Sequence, residues 1–316
     1  MRRVRHTLGT LTVQDVPAPA PGPGELLVRT EAIGVTLPAV RNLAKAAPGA
    51  AGAAGEPRPV SGEVAGTVEA VGPDVTAYAP GDRVTGLCFQ DAYAELALLP
   101  LAMASPVPGH ATAREAVALL RGGLVALGAL EAARPRPGET ALITAAASGV
   151  GHLALQLARI RGGAARVVAA VSDPAAKGPF LRALGADAVI GYDEPDWTAD
   201  CGPAAYALDA AGGAHLTSAV RALADGGRLV AYSSGGGTLN AHDLLAGAKS
   251  VTGFQIARVA REEPHRYAAW REELWHLHAT GALRPAVAAA FPLASAAEAH
   301  ALLTARANLG KILLVP

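Results

Sequence analysis

The residues from Glu139 to Ser172, ETALITAAASGVGHLALQLARIRGGAARVVAAVS, constrain the fold of this chain more than any other stretch. Thr140–Thr144 is a short apolar run typical of a strand buried on both faces, and Ala145–Gly151 is a turn of small residues. An amphipathic helix follows, a Gly-Gly pair ends it, and Arg166–Val171 is a second apolar strand. A strand, a helix and a parallel strand within about thirty residues form the βαβ unit on which a dinucleotide binds.

The turn of this unit departs from the dinucleotide fingerprint G-x-G-x-x-G. Ala146 and Ser148 stand where the first two glycines are expected, whereas Gly151 keeps the third. Small side chains still allow the backbone to approach a pyrophosphate, and the amides at the helix start offer partial positive charge to the phosphates. We therefore predict that the cofactor phosphates bind along Ala146, Ser148, Gly149, Val150 and Gly151.

The end of the second strand bears on the choice of cofactor. Ser172 stands where an NAD-selective site carries an acidic residue for the ribose hydroxyls. A serine removes that negative charge and leaves room for a 2′-phosphate, which Lys177 is placed to bind. Asp173 argues in the opposite direction, and a solvated lysine at a helix start is the alternative for Lys177. The sequence favours NADPH over NADH.

Composition and charge narrow the class of protein. The 316 residues are enough for two domains, and the 27 basic and 27 acidic residues balance. Zero net charge argues against binding to nucleic acid or to an anionic membrane surface. Two cysteines are too few for a disulfide framework, and the basic N-terminus lacks the apolar core of a signal peptide. We expect a soluble cytoplasmic protein.

The first third of the chain is predicted to be an irregular β domain. A proline-dense corner at residues 17–25 connects two strands, because proline cannot donate to a sheet ladder, and residues 46–59 are expected to form a mobile loop. The predicted strands are Leu8–Val16, Glu25–Val35, Val60–Val71 and Ala92–Leu99, with another strand after the turn at 80–82 and a helical turn at Thr36–Lys45.

From about residue 122 to residue 257, strands alternate with helices, which predicts a doubly wound parallel sheet. A helix over Thr112–Leu130, with Glu115 completing a capping box, leads into this region. The other predicted elements are helices at Pro179–Leu184, His215–Leu223 and Glu262–Thr280 and strands at Ala188–Ile190, Tyr206–Asp209, Arg228–Tyr232, Ser250–Ile256 and Lys311–Val315.

Motifs along the whole chain carry a family resemblance. They include GPGELLVRTEAIGV at 22–35, GEVAGTVEAVGPDV at 62–75, PGDRV at 80–84, LGADAVIGY at 184–192 and GKILLVP at 310–316. With these motifs the chain resembles a medium-chain dehydrogenase/reductase of the zinc-independent quinone oxidoreductase (zeta-crystallin-like) branch. The resemblance implies a GroES-like β-rich catalytic domain at 1–121 and 258–316, split around a Rossmann NADP-binding domain at 122–257. It also implies a homodimer.

The same resemblance bears on metal binding. Thr36 and Gly62 take the places of a cysteine and a histidine that hold catalytic zinc in alcohol dehydrogenases of this superfamily, and Arg121 lies near the place of a later ligand. Zinc requires a set of deprotonated sulfur, nitrogen or oxygen donors at about 2 Å. No such set is assembled at these positions, so we predict that the protein holds no metal.

Without a metal, the chemistry expected of a reduced nicotinamide is hydride transfer to an electrophile that is already activated, such as a quinone or an enone. The resemblance implies a tyrosine proton donor in related enoyl reductases, but the matching position falls at about Ala47. We therefore expect the proton to come from water.

Two residues are the candidates for catalysis. Arg121, in ALLRGGLVAL, stands beside the nicotinamide pocket that the resemblance implies, and we predict that it binds a substrate carboxylate, a phenolate or a developing enolate. The alternative is that Arg121 points to solvent or pairs with a nearby carboxylate. Thr36 is predicted to offer a hydroxyl to the substrate.

Further cofactor contacts follow from the resemblance, most of them at successive strand ends. Tyr192 matches a tyrosine near the adenosine phosphate, with a surface aromatic residue as the alternative, and Lys311 is either a cofactor contact or a solvated lysine. The other predicted contacts are Ala210, Ser233, Phe254 and Gln255.

The sequence therefore predicts an NADPH-dependent, zinc-independent oxidoreductase that reduces a small quinone or an α,β-unsaturated carbonyl compound. One alternative is a tailoring reductase that acts on a single polyketide-like natural product by the same chemistry. Another is an NADPH-binding, crystallin-like protein with little or no turnover, which the missing proton donor favours.

Overall fold

The computed structural model describes residues 1–7, 9–45, 57–192, 197–233 and 235–316. Its strands are β1 (Arg2–Thr7), β2 (Thr10–Asp15), β3 (Glu25–Val35), β4 (Gly62–Val71), β5 (Arg83–Cys88), β6 (Leu96–Pro100), β7 (Ser105–Pro106), β8 (Thr140–Thr144), β9 (Arg166–Val171), β10 (Ala188–Gly191), β11 (Ala204–Asp209), β12 (Leu223–Ala231), β13 (Ser250–Gly253), β14 (Val287–Pro292) and β15 (Lys311–Val315).

The helices are α1 (Leu37–Lys45), α2 (Ala113–Ala133), α3 (Gly151–Ile160), α4 (Pro174–Ala183), α5 (Thr198–Cys201), α6 (Ala214–Arg221), α7 (Ala241–Leu245), α8 (Ile256–Glu262), α9 (Pro264–Ala279) and α10 (Ala296–Thr304). Short 3-10 helices lie at Leu101–Met103 and Leu293–Ser295. The predicted mobile loop at 46–59 lies outside the described residues except for its last three positions.

The chain forms two compact units, one of residues 1–121 with 286–316 and the other of residues 122–285. We call them unit 1 and unit 2. The domain boundary predicted at residue 257 differs from this grouping, because residues 258–285, with α8 and α9, belong to unit 2.

Unit 2 is built on a six-stranded parallel sheet with strand order β10-β9-β8-β11-β12-β13. This is the doubly wound order in which the first strand of the unit lies in the middle of the sheet, so the predicted Rossmann fold is confirmed. The central strands β8 and β9 are buried almost throughout, as their unbroken apolar runs predicted.

Unit 1 is built on a seven-stranded mixed sheet whose main path is β14-β15-β3-β4-β5-β7, with β6 also paired to β3. Strands β1 and β2 form a separate antiparallel hairpin, in which Val4 lies opposite Val13. Buried side chains of this unit form an apolar core that includes Ile33, Val64 and Tyr93, and the predicted β-rich domain is confirmed.

Helix α2 is long and apolar enough to cross a membrane by length and composition alone. However, 78% of its most apolar window is buried inside the protein, as in the core helices of soluble folds. Thr112 and Glu115 begin it as predicted. The Thr112 N–H donates to Glu115 Oε2 at 2.8 Å, and the Glu115 N–H donates to Thr112 Oγ1 at 3.2 Å, which completes a capping box.

Helix α4 begins earlier than predicted. Its cap is Asp173, whose Oδ1 accepts the Ala176 N–H at 2.9 Å, and Pro174 fills the first helical position. Pro179, predicted as the helix start, therefore lies inside the helix. A second difference is at residues 256–262, where a strand was predicted to end at Ile256 and the structure instead begins α8.

A half-buried histidine in unit 1, His300, makes the stability of the protein depend on pH. Tyr93 Oη lies 3.0 Å from His300 Nε2 on α10, and burial, with a smaller effect from His6, lowers the pKa of His300 to about 4. Between pH 4 and the ordinary pKa of about 6.5, the unfolded chain binds more protons than the folded one, so stability falls as the pH falls through this window.

We expect the wild type to lose about 2 kcal/mol more unfolding free energy than His300→Gln between pH 7 and pH 4. Urea unfolding over a pH series measures the difference. His265→Gln, at an exposed position in unit 2, serves as the control and should follow the wild type. Parallel curves for wild type and His300→Gln would contradict an imidazole that stays neutral in the folded protein.

Candidate functional site

The predicted phosphate-binding turn connects β8 to α3. Ala145 has a left-handed backbone, with φ of 47°, and its carbonyl accepts the Ser148 N–H at 2.9 Å. Ser148 Oγ accepts the Gly151 N–H at 3.0 Å, at the first residue of α3. A Cβ at Gly151 would lie 2.2 Å from Ala145 O and 2.8 Å from Ala146 Cα. Gly151 is therefore required by the close approach of the helix to the turn, as predicted.

Helix α2 bounds the same turn within unit 2. A Cβ at Gly122 would lie 2.9 Å from the carbonyl oxygen of Gly149, so the helix backbone and the turn are in close contact. Gly149 and Val150 are half-buried, whereas Ala146 is fully buried. The accessible part of the predicted pyrophosphate site therefore runs from Ser148 to Val150, whereas Ala146 and Gly151, which were also predicted to meet the phosphates, are buried.

The residues predicted to select NADPH lie together after β9. Lys177 Nζ donates to Ser172 Oγ at 2.7 Å, and the Lys177 side chain is buried. The carboxylate of Asp173, which the sequence placed against NADPH, caps α4 instead by accepting the Ala176 N–H. A lysine ammonium thus lies beside the serine at the strand end, and the carboxylate has a structural role in the helix.

Tyr192, after β10, lies beside the same turn. Its hydroxyl accepts the Ala145 N–H, and its ring stacks on His215 with the centroids 4.5 Å apart and contacts Trp197 edge to face. Tyr192 is 7% exposed, so it is not the surface aromatic residue that the sequence left as an alternative. The structure brings it together with the phosphate-binding turn.

The four remaining predicted contacts in unit 2 follow parallel strands and therefore lie along one edge of the sheet. Ala210, after β11, donates its N–H to Thr144 Oγ1 at 3.0 Å. Ser233 and Gln255 are exposed. Phe254 is half-buried and packs on α2, because a Cβ at Gly128 would lie 2.3 Å from its Cζ.

Sequence reasoning missed a polar pair at this edge. Thr144 Oγ1 donates to Asp209 Oδ1 at 2.6 Å, and Asp209 Oδ2 accepts the Gly212 N–H at 3.1 Å. Burial raises the pKa of Asp209, while the hydrogen bonds from Thr144 and from the backbone oppose that rise. The pair ties the ends of β8 and β11 together. Its signal in the sequence is a single polar residue at the end of each apolar strand.

In unit 1, two of the three predicted site residues, Arg121 and Lys311, contact the same carboxylate. That carboxylate belongs to Glu63, which the sequence analysis missed. Lys311 Nζ lies 2.5 Å from Glu63 Oε2, and Arg121 Nε lies 3.3 Å from Glu63 Oε1. Arg121 thus pairs with a carboxylate, the alternative stated for it, and Lys311 is buried rather than solvated. We call Glu63, Arg121 and Lys311 the charged cluster.

Thr36 lies just after β3, at the edge of the sheet that also carries Glu63, since Gly34 of β3 is opposite Glu63 of β4. Its hydroxyl accepts the Ala39 N–H at 3.4 Å at the start of α1. Thr36 therefore caps a helix, and its role toward a substrate stays a prediction.

Thr36, Gly62 and Arg121 lie at or near the places where related alcohol dehydrogenases carry zinc ligands. A Cβ at Gly62 would lie 3.1 Å from the Tyr93 ring and 3.2 Å from Ala92 Cβ, so a larger side chain would require these neighbours to move. Among the described residues, no three His, Cys, Asp or Glu side chains are grouped as metal ligands would be. The expectation of a zinc-independent protein stays a prediction.

Two family models match the chain. The alcohol dehydrogenase GroES-like domain matches residues 22–128, and the zinc-binding dehydrogenase model matches residues 184–314. A quinone oxidoreductase of Pseudomonas aeruginosa is 31% identical over 97% of this chain and 95% of that protein. A mycobacterial protein solved in complex with NADPH is 31% identical, with both chains fully covered and a TM-score of 0.88.

A nucleotide-binding parallel sheet joined to a GroES-like domain defines a dehydrogenase/reductase. The chain belongs to the medium-chain dehydrogenase/reductase family, in its quinone oxidoreductase branch. It is also 33% identical, over 96% of its length, to the spectinabilin polyketide synthase system protein NorB of Streptomyces orinoci, but it spans only 14% of that protein.

Proposed function

We propose that this protein is an NADPH-dependent reductase that transfers hydride to a quinone or an α,β-unsaturated carbonyl compound without zinc. The observation that carries the proposal is the arrangement after β9, where Lys177 lies 2.7 Å from Ser172 and Asp173 is held as a helix cap. A 2′-phosphate would meet a cation there, and the Asp173 carboxylate accepts the Ala176 N–H. The quinone oxidoreductase relative and the NADPH complex of the mycobacterial protein support this assignment.

The residues present fit this cofactor. The backbone of the turn, accessible from Ser148 to Val150, would hold the pyrophosphate at the start of α3, and Ser172, Lys177 and Tyr192 would hold the 2′-phosphate. When bound, NADPH supplies the hydride. Ala210, Ser233, Phe254, Gln255 and Lys311 remain proposed contacts.

The substrate is proposed to meet unit 1. The Thr36 hydroxyl would face the carbonyl oxygen on which charge collects, and the Arg121 guanidinium would bind an anionic group of the substrate, which is a carboxylate, a phenolate or the developing enolate. Tyr93 is buried and bonded to His300, and burial raises the pKa of its hydroxyl far above the ordinary value, so it does not supply the proton. Water protonates the enolate.

A second candidate is a reductase for one polyketide-like natural product, because the chain aligns over 96% of its length with a polyketide synthase protein. We also propose that the protein is a cytoplasmic homodimer. Cys88 and Cys201 are buried free thiols, as expected for a protein in a reducing compartment.

The proposal is tested with purified protein, by fluorescence titration with NADPH and NADH and by cofactor oxidation with a panel of quinones and enones. We expect tighter binding of NADPH and turnover with at least one acceptor, unaffected by EDTA. Binding without any turnover would favour the crystallin-like alternative. No binding of either cofactor, or zinc at one equivalent in the native protein, would contradict the proposal.

A further inference from the structure

The charged cluster of unit 1 has one more cation than anion. Glu63 supplies one carboxylate, and its two oxygens contact Lys311 Nζ at 2.5 Å and Arg121 Nε at 3.3 Å. The side chains of Glu63 and Lys311 are 7% and 10% exposed, whereas that of Arg121 is 40% exposed. Since Lys311 already balances Glu63 in the interior, the excess positive charge belongs to the accessible Arg121.

The fold provides space for this cluster. Gly34 of β3 lies opposite Glu63 of β4, and a Cβ at Gly34 would come within 2.8 Å of Lys311 Cε and 3.1 Å of Glu63 Oε2. Glycine at position 34 therefore leaves the volume that the buried Glu63–Lys311 pair fills. A buried ion pair costs desolvation energy, and Arg121 lies beside the Glu63 oxygen that Lys311 does not contact.

Arg121 presents part of its guanidinium to a ligand. Its Nε lies beside the Glu63 carboxylate, and within the ranges that the structure describes Glu63 is the ionic partner of Arg121. The two terminal nitrogens form a planar fork that matches a carboxylate in two parallel hydrogen bonds. A partly exposed arginine whose ionic partner among the described residues also pairs with a lysine keeps the capacity to bind an anion.

We propose that Arg121 binds a carboxylate of the substrate, so that the preferred substrates are α,β-unsaturated carbonyl compounds that carry a carboxylate. This inference rests on the proposed reductase function and specifies its substrate class. Glu63 and Lys311 are positioning residues. Glu63 orients the guanidinium of Arg121. Lys311 neutralises the charge of Glu63, so the positive charge of Arg121 remains available to attract the ligand.

The test uses two substrates with the same enone skeleton, 4-oxopent-2-enoate and its uncharged methyl ester, and compares each variant with the wild type on the same substrate so that their different intrinsic reactivities cancel. We expect the wild type to have a KM for the carboxylate about 10-fold or more below that for the ester. Arg121→Met should raise the carboxylate KM about 10- to 100-fold and change the ester KM less than about threefold, because a charge-assisted hydrogen bond is lost only with the anion. Arg121→Lys should recover part of the loss.

Lys311→Met tests the positioning role. Glu63 would then neutralise Arg121, so the carboxylate KM should rise by a larger factor than the ester KM, which separates the charge of Arg121 from any loss of cofactor binding common to both substrates. Because Lys311 is also a proposed cofactor contact, the Kd of NADPH is measured for this variant. Arg29→Met is the matched control, since Arg29 lies in the same unit and pairs with Glu69 at the exposed surface, and it should match the wild type.

A binding measurement separates the two proposals. The saturated product 4-oxopentanoate should raise the melting temperature of the wild type but not of Arg121→Met, whether or not turnover occurs. If 4-oxopentanoate stabilised the wild type and Arg121→Met equally, or if Arg121→Met changed the KM of ester and carboxylate by the same factor, the carboxylate-binding inference would be overturned. Turnover of the ester would still support the reductase function in that case. Absence of NADPH oxidation with every acceptor would instead overturn the reductase function.

Discussion

Gly151→Val should weaken the binding of NADPH at least about 100-fold and lower the free energy of unfolding by about 1–3 kcal/mol. The Cβ alone would lie 2.2 Å from Ala145 O and 2.8 Å from Ala146 Cα, and both contacts are backbone atoms that no rotamer change can move. The helix start must therefore shift away from the turn, which removes the amides of the turn from a pyrophosphate.

The loss is measured by titrating NADPH fluorescence below the melting temperature of the variant, so that unfolding and weak binding are separated. Gly109→Val is the matched control, because a Cβ at Gly109 meets no atom within 4 Å and its backbone is not left-handed. That variant should bind NADPH as the wild type does. Unchanged NADPH affinity in folded Gly151→Val would show that the cofactor phosphates lie elsewhere.

Lys177→Met should remove the preference for NADPH. We expect the Kd of NADPH to rise about 10- to 100-fold and the Kd of NADH to change less than about threefold, because only NADPH carries the 2′-phosphate that the ammonium beside Ser172 would bind. The preference of the wild type should also fall with added salt, since the contact is between opposite charges.

Lys249→Met is the control for this variant. Lys249 is also a lysine of unit 2, but it donates to the carbonyls of Val220 and Arg221, and its loss should leave the ratio of the two Kd values unchanged. Ser172→Asp tests the converse, since a carboxylate at the strand end should favour the ribose hydroxyls of NADH. A wild-type ratio retained in Lys177→Met would remove this lysine from the cofactor site.

The parts of the fold that sequence analysis predicted are those determined by local patterns. The unbroken apolar runs of β8 and β9, the small residues of the turn between them and the capping box at Thr112 act over a few residues each. Strand β1 was missed because its only apolar residue is Val4, among Arg2, Arg3, Arg5 and His6, which gives almost no alternation to detect.

The candidate site was predicted less completely, because its contacts join residues that are far apart in the chain. Lys311 meets Glu63 across 248 positions, and Thr144 meets Asp209 across 65. Glu63 and Asp209 each looked like ordinary strand residues, since no motif marks a carboxylate whose partner lies on another strand. Asp173 was misjudged for a similar reason, because its role as the α4 cap depends on where that helix begins.

The order of strands in unit 1 has a consequence for synthesis on the ribosome. Strand β15 lies between β14 and β3, with Ile312 opposite Val35, whereas the parallel sheet of unit 2 is complete within the contiguous residues 122–285. The growing chain can therefore complete the nucleotide-binding sheet first, while β3 lacks the partner strand of its last residues, 33–35, although β6 can already pair with its beginning. During that interval the nascent chain is most exposed to pairing with strands of other chains, and emergence of residues 311–315 ends it.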